Sequence, residues 1–302
     1  MNDPWSPEIE VSKSIAELMI GCQFPQLKPV TAHVLGEGFD NSVYLVNGQF
    51  VFRFPRREMA AGLLETEIRL LPEIAPLLPI PVPNPLFVGT PDEPFPWPFA
   101  GYKLLSGVTP TGLTLEQRMQ SVEPLAQFLK TLHAFSASEA EKLGVPHDQL
   151  GRLNFLKRKP ILEANMEKAK GLMGYDEMER IGGFLSSIRR PFTDETKALV
   201  HGDLHIRNML VDEAGRVLAV IDWGDTHIGH PALDLSIVYS FLPPEGRESF
   251  FQMYGEVEPE IKRMARFKAI YTLLLLLLYG ENRGDVHLVG DCRTALRLAL
   301  TD

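Results

Sequence analysis

The stretch His201–Asp225, HGDLHIRNMLVDEAGRVLAVIDWGD, decides how the rest of the 302-residue chain is read. Two short apolar runs, Met209–Val211 and Val217–Ile221, flank turn-forming residues at Val211–Glu213 and Gly215, so the segment is expected to fold back as a hairpin. That fold-back would bring Asp203 and Asn208 near Asp222. Phosphoryl transfer needs a carboxylate to orient an acceptor hydroxyl, and an amide and a second carboxylate to hold Mg²⁺ on nucleotide phosphates. Asp203 is the candidate for the first role, Asn208 and Asp222 for the second.

The spacing His-x-Asp-x-x-x-x-Asn, followed by Asp-aromatic-Gly, is the kinase arrangement. Asp222-Trp223-Gly224 by itself would be no more than a turn start. Joined to His201-Gly202-Asp203 and Asn208 it becomes specific. Two other readings stay open: a hairpin whose acids are merely solvated, and a zinc site of His201, Asp203 and His205, since alternate residues of an extended segment share a face. The zinc reading leaves Asn208 without a role.

Toward the N-terminus, Glu8–Ile20 has near-helical apolar spacing and is expected to pack on the first sheet. Short β-like runs follow at Val30–Leu35, Val43–Val46 and Phe50–Phe54, with Asn47-Gly48 as a hairpin turn. Between the first two lies Gly36-Glu37-Gly38-Phe39-Asp40-Asn41-Ser42, either a flexible turn or a loop whose N–H groups cover phosphates. Gly36, Gly38, Asn41 and Ser42 are its nucleotide-binding candidates. Arg53 closes the third strand on the same face as Val51, where a kinase places its phosphate-pairing lysine. In the helix expected over Glu58–Leu71, Glu67 is the candidate ion-pair partner of Arg53, with Glu65 as the competitor.

Prolines recur through Pro72–Pro98, which excludes a helix and leaves an extended, stiffened passage with strands at Leu86–Val88 and Phe99–Leu105. Residues Gly101–Gly107 then leave the sheet, where a nucleotide base would bond to the backbone of Tyr102 and Leu104. Beyond Thr109 the chain reads as mostly helical. One helix is expected from a Thr114/Gln117 capping box to Phe135, others over Pro160–Leu172 and Tyr175–Ile188, and four more from Pro231 to Leu300. His133 is expected to cap or pack. The organisation expected is an N-terminal nucleotide-binding lobe over residues 1–105 and a helical lobe over 106–302 with the catalytic loop and substrate site.

Composition narrows the partners. Charged residues at 23% and hydrophobic ones at 45% suit a water-soluble globular protein. A net charge of −9 without a basic tract argues against nucleic acid or an anionic membrane as the main partner. Cys22 and Cys292 form neither a disulfide framework nor a metal-ligand spacing. The acidic, prolyl N-terminus does not look like a signal peptide, and the apolar run Leu273–Tyr279 falls short of the ~20 residues that span a bilayer. A cytoplasmic protein, monomeric or weakly dimeric, is expected.

Taken together, the glycine loop, Arg53, Glu67, the hinge, HGDLHIRN and IDWGD resemble the aminoglycoside and macrolide phosphotransferases, most clearly over residues 30–242. The resemblance implies an α+β, bilobal, protein-kinase-like fold with an antiparallel N-lobe sheet, one main helix there and a mostly helical C-lobe. It implies ATP or GTP with Mg²⁺ as cofactors and a hydroxyl-bearing small molecule, an antibiotic, as acceptor. Asp203 becomes the catalytic base, Asn208 and Asp222 the Mg²⁺ ligands, Arg53 and Glu67 the phosphate-positioning pair, and Asp234 a buttress of the catalytic loop. The departures are Asn41 for the loop's third glycine, Arg53 for lysine, and His230 where the family often has Asp. Only Asp225–His230 separate Trp223-Gly224 from Pro231, too little for the activation loop of a protein kinase. A metabolite kinase, a metal-dependent hydrolase and a non-catalytic nucleotide sensor are the alternatives.

Overall fold

The computed structural model describes residues 7–37 and 40–301. They divide into two compact units. One takes the residues up to Leu77, Pro81–Ser106 and Asp222–Asp225; the other takes Leu78–Ile80, Gly107–Ile221 and the chain from Thr226.

The first unit is a sheet with two helices. Strands β1 (Ala32–Glu37), β2 (Asn41–Val46), β3 (Phe50–Pro55), β4 (Pro85–Gly89) and β5 (Phe99–Lys103) form an antiparallel sheet in the order β1-β2-β3-β5-β4. Asn47 and Gly48 both take positive φ, 52° and 68°, the mirror-image turn that matches the twist of a two-residue hairpin. Helix α1 (Lys13–Gln23) starts later than the apolar spacing predicts, because Ser12 caps it by accepting a hydrogen bond from the Ile15 N–H. Met19 and Ile20 of α1 join Phe52, Phe54, Phe95 and Phe99 in one core. The Phe54 and Phe99 rings stack at 4.6 Å. Gly101 of β5 lies against Phe52, whose ring would stand 2.5 Å from any added Cβ. Helix α2 (Glu58–Ile74) runs through Pro72 instead of ending before it.

The second unit is mostly helical: α3 (Leu115–Met119), α4 (Val122–His133), α5 (Ala137–Lys142), α6 (Phe155–Lys168), α7 (Tyr175–Ser187), α8 (Ala232–Ser240), α9 (Pro244–Tyr254), α10 (Pro259–Arg283) and α11 (Val286–Ala299). Two small antiparallel pairs complete it, β6 (Ala198–Val200) with β9 (His227–Gly229) and β7 (Met209–Val211) with β8 (Val217–Val220). The single helix predicted over 114–135 is broken at Ser121. Its hydroxyl donates to the Gly215 carbonyl at 2.8 Å and accepts from the Val217 N–H at 2.9 Å, tying the break to the β7–β8 turn. The Thr114/Gln117 capping box is present at the start of α3. Helix α6 begins at Phe155, before the predicted Pro160, because the Asn154 side chain caps it through the Lys157 N–H. Helix α8 is buried along its whole length. It packs on α10, which ends at Gly284 in the left-handed region. Among the described residues no helix is long and apolar enough to cross a membrane.

Candidate active site

In the first unit the strand cation and the helix acid meet. Arg53 projects from β3 and reaches both Glu67 oxygens through Nη1, at 2.8 and 3.0 Å. Its Nη2 holds Asp222 Oδ1 at 3.1 Å. Only 1% of the Glu67 side chain is exposed, whereas Glu65 lies on the surface opposite Arg69 at 4.0 Å. A buried carboxylate needs its lone pairs matched, and the Tyr102 hydroxyl supplies a further donor at 2.7 Å. Burial and the neighbouring Glu67 push the Tyr102 phenol up, so it stays a donor. Burial alone would lower the Arg53 pKa, but Glu67 and Asp222 outweigh it and the guanidinium is firmly charged.

Asp222 lies two residues beyond the end of β8 at Val220 and takes a φ of 65°. For a non-glycine residue that conformation is uncommon and marks a position the surroundings must hold. The Asp222 side chain keeps 58% of its surface exposed despite the Arg53 contact. This contact binds the short segment Asp222–Asp225 to the sheet unit, far from it in sequence.

The other nucleotide-site candidates differ from expectation in detail. Tyr102 is enclosed between β3 and β4, opposite Val51 and Pro85, so its backbone is spent on the sheet and its hydroxyl is the working atom. The Leu104 N–H donates to Gln49 at 2.8 Å, which leaves only its carbonyl for a base. Gly36 sits at the β1 bulge opposite Val43, with open space where a Cβ would be. Asn41 and Ser42 are buried at the start of β2, and among the described residues Asn41 Oδ1 has no hydrogen-bond partner. Gly38 lies outside the described residues.

In the second unit the loop after β6 is held from behind. Asp234, on the first turn of α8 and fully buried, accepts from the backbone N–H groups of His201 at 2.8 Å and Gly202 at 2.9 Å. His133 Nε2 lies 3.1 Å from the same carboxylate, and its Nδ1 lies 2.8 Å from the Tyr254 hydroxyl. Burial would raise the Asp234 pKa, but His133, His201 and the Gly202 N–H bring it below the usual carboxylate range. The sequence gives His133 a capping or packing role; its pairing with Asp234, a hundred positions later, leaves no local signal.

His201 is fully engaged. Its Nδ1 accepts from the Asp203 N–H at 3.3 Å and its Nε2 lies 3.0 Å from the Ile221 carbonyl. With both ring nitrogens occupied it cannot also ligate a metal, which removes the zinc reading. Among the described residues no group of three or more His, Cys, Asp or Glu is arranged to hold a metal.

Asp203 is partly exposed beyond this anchor. Asn208 donates through Nδ2 to the Asp203 carbonyl at 2.9 Å and to its carboxylate at 3.4 Å. His205 accepts from the Arg207 N–H on Nδ1, which places its proton on Nε2, 3.2 Å from Asp203 Oδ2. Burial would raise the Asp203 pKa, but His205, Lys268 and His201 hold it well below the carboxylate range. The β7–β8 hairpin then returns the chain so that the Ile221 N–H bonds to the Asn208 carbonyl at 2.9 Å, and Asp222 is the next residue.

A five-stranded antiparallel sheet with a buried arginine–glutamate pair, and a mostly helical unit carrying His-x-Asp-x-x-x-x-Asn, define a kinase-like fold. The chain belongs to the phosphotransferase enzyme family, whose model matches residues 31–267. Among solved structures it is similar to the GDP complex of aminoglycoside 2'-phosphotransferase-IIIa, with a TM-score of 0.69 and 25% identity over 96% of this chain and 99% of that one. It shares the fold of the macrolide 2'-phosphotransferase of Brachybacterium faecium, with a TM-score of 0.57 and 22% identity over 88% and 91% of the two chains. A stretch of 75 residues, 22% of this chain, is 37% identical to acyl-CoA dehydrogenase family member 11 of Gallus gallus. The matched parts span 10% and 31% of the lengths of the curated relatives.

Proposed function

We propose that this protein is a small-molecule kinase that transfers the γ-phosphate of ATP or GTP to a hydroxyl group. The observation that carries the proposal is the Asp203–Asn208 pair on a loop whose backbone is pinned by Asp234. A carboxylate held that low is a weak base toward an alcohol, so Asp203 acts mainly by accepting the acceptor's O–H and fixing its direction of attack. The acceptor oxygen forms a bond to phosphorus as the bond to the leaving nucleoside diphosphate breaks, and the proton passes late to Asp203 and on to solvent.

Asn208 and Asp222 are the residues we assign to Mg²⁺. The Asn208 NH₂ is spent on Asp203, which leaves its side-chain oxygen, and the exposed Asp222 carboxylate adds a second hard donor. One carboxylate and one amide oxygen suit a metal that arrives on nucleotide phosphates. Bound there, Mg²⁺ would offset charge on the transferring phosphate. Arg53, oriented by Glu67 and Tyr102, offers a planar fork to the phosphates. Gly36, Gly38, Asn41 and Ser42 are assigned to the loop above them, and the Leu104 carbonyl to the base.

An antibiotic hydroxyl is the acceptor that the similarity to antibiotic phosphotransferases favours. A metabolite is the second reading, and the Lys268 charge that acts on Asp203 favours it over a polycation. Labelled γ-phosphate offered from ATP and from GTP, with aminoglycosides, macrolides and small hydroxy compounds as acceptors, tests the reading. Transfer that Asp203→Ala lowers by about 10²-fold or more, with nucleotide binding retained, supports it. Undiminished transfer in the variant would remove Asp203 from the mechanism.

A further inference from the structure

Phosphate transfer as such asks nothing of His205, yet its side chain, 12% exposed, is built into the loop that carries Asp203. Nδ1 accepts the Arg207 N–H at 3.2 Å and so caps the single helical turn Ile206–Asn208. The His205 carbonyl accepts the Asn208 N–H at 2.9 Å, closing the same turn. The ring cannot flip without stranding the Arg207 N–H. With Nδ1 an acceptor, the ring proton is on Nε2, which stands 3.2 Å from Asp203 Oδ2.

The two carboxylate oxygens of Asp203 are thereby made unlike. Oδ2 faces both His205 Nε2 and, at 3.4 Å, Asn208 Nδ2. Oδ1 takes no hydrogen bond among the described residues, and the Asp203 side chain keeps 36% of its surface exposed. The torsion that turns a carboxylate is broad, so an unheld Asp203 would present either oxygen at many angles. A donor on Oδ2 also stabilises the charged form and makes the carboxylate a weaker base. The contact therefore cannot serve by sharpening the base; what it supplies is direction.

We propose that His205 is a positioning residue: its Nε2–H holds Asp203 Oδ2 so that Oδ1 alone receives the acceptor's O–H. The proposal rests on the kinase reading of the site. In the transfer the acceptor oxygen bonds to phosphorus, and nucleoside diphosphate leaves with the electron pair of the broken P–O bond. The proton passes late to Oδ1 and on to solvent, while His205 keeps its own. Histidine suits the position because one rigid ring carries an acceptor toward Arg207 and a donor toward Asp203. Asparagine and glutamine each reproduce half of this. The Asn oxygen can cap the turn, but its amide stops short of Asp203. The Gln amide nitrogen reaches about as far as Nε2 and gives up the cap.

The test compares the wild type, His205→Asn, His205→Gln and Asp203→Ala in labelled phosphate transfer from ATP and from GTP, with Mg²⁺, to kanamycin, erythromycin and ethanolamine. Where none of the three is phosphorylated, nucleotide hydrolysis, with water in the acceptor's place, supplies the rates. The proposal predicts that His205→Asn lowers kcat by about thirtyfold with the nucleotide KM within about threefold, the signature of orientation lost in the transition state. His205→Gln should keep kcat within about threefold of wild type and lower the thermal midpoint, because the cap is gone. Long-range ¹H–¹⁵N nuclear magnetic resonance should find His205 protonated on Nε2, with that resonance displaced in Asp203→Ala. The reverse ranking, His205→Asn active and His205→Gln impaired, would make the residue a cap alone and overturn the proposal. Wild-type rates in both variants, or an equal loss in both, would also overturn it. So would a higher kcat in His205→Asn, since the contact would then restrain the base. Turnover that Asp203→Ala leaves undiminished, or none by the wild type, would instead overturn the kinase reading.

Discussion

Arg53 uses two nitrogens on two acids that differ in kind, one buried on a helix and one exposed after a strand. A lysine at this position could not span both, because its ammonium is a point charge where guanidinium is a fork. Glu67→Gln should therefore cost ~3 kcal/mol of stability, since removing one partner strands a buried charge. It should also raise the KM for nucleotide more than it lowers kcat. Denaturant unfolding and steady-state kinetics check both; a stability equal to wild type would mean that the pair is not formed. Strand alternation and helix spacing made Arg53 and Glu67 legible in the sequence, because both lie on regular elements. The Tyr102 hydroxyl and the left-handed Asp222 were not legible, since each depends on a partner distant along the chain.

Four elements of the second unit meet at one carboxylate: α8 supplies Asp234, α4 supplies His133, α9 supplies Tyr254, and the chain leaving β6 supplies the His201 and Gly202 N–H groups. Asp234→Asn keeps the size but loses the charge and one acceptor. We expect kcat to fall by about tenfold to a hundredfold, because a loop misplaced by about 1 Å costs that much in orientation. Nucleotide affinity should change little. An unaltered kcat would show that the loop does not depend on this anchor. Helices α9 and α11 and the hairpin of β7 and β8 could be read from periodicity and turn residues. The break between α3 and α4 could not, because Ser121 spends its hydroxyl on Gly215 and Val217, nearly a hundred residues away. Pro160 misled in the other direction: it looks like a helix start, whereas the Asn154 cap begins α6 a turn and a half earlier.

At the scale of the whole molecule, acid should be destabilising. Asp203 and Asp234 titrate below their ordinary range in the folded state, so the stability they contribute is present above about pH 4 and is lost as pH falls through their folded values. Burial also lowers the pKa of His230, despite its 2.8 Å contact with Asp194, and protonation then favours the unfolded chain below about pH 6.5. The thermal midpoint should therefore be level from pH 7 to 8, decline below about 6.5 and fall steeply below about 4. A midpoint that rose on acidification would contradict these environments. The net charge of −9 gave no such guidance, because it sums the whole chain and says nothing of the surroundings of any one group.

The most direct test of phosphate transfer to a hydroxyl is ³¹P nuclear magnetic resonance of the protein with nucleoside triphosphate, Mg²⁺ and an acceptor, beside Asp203→Ala under the same conditions. The account predicts a phosphate monoester resonance that grows as the γ resonance disappears, and its absence in Asp203→Ala. Inorganic phosphate as the sole product, formed equally fast by both proteins, would contradict it.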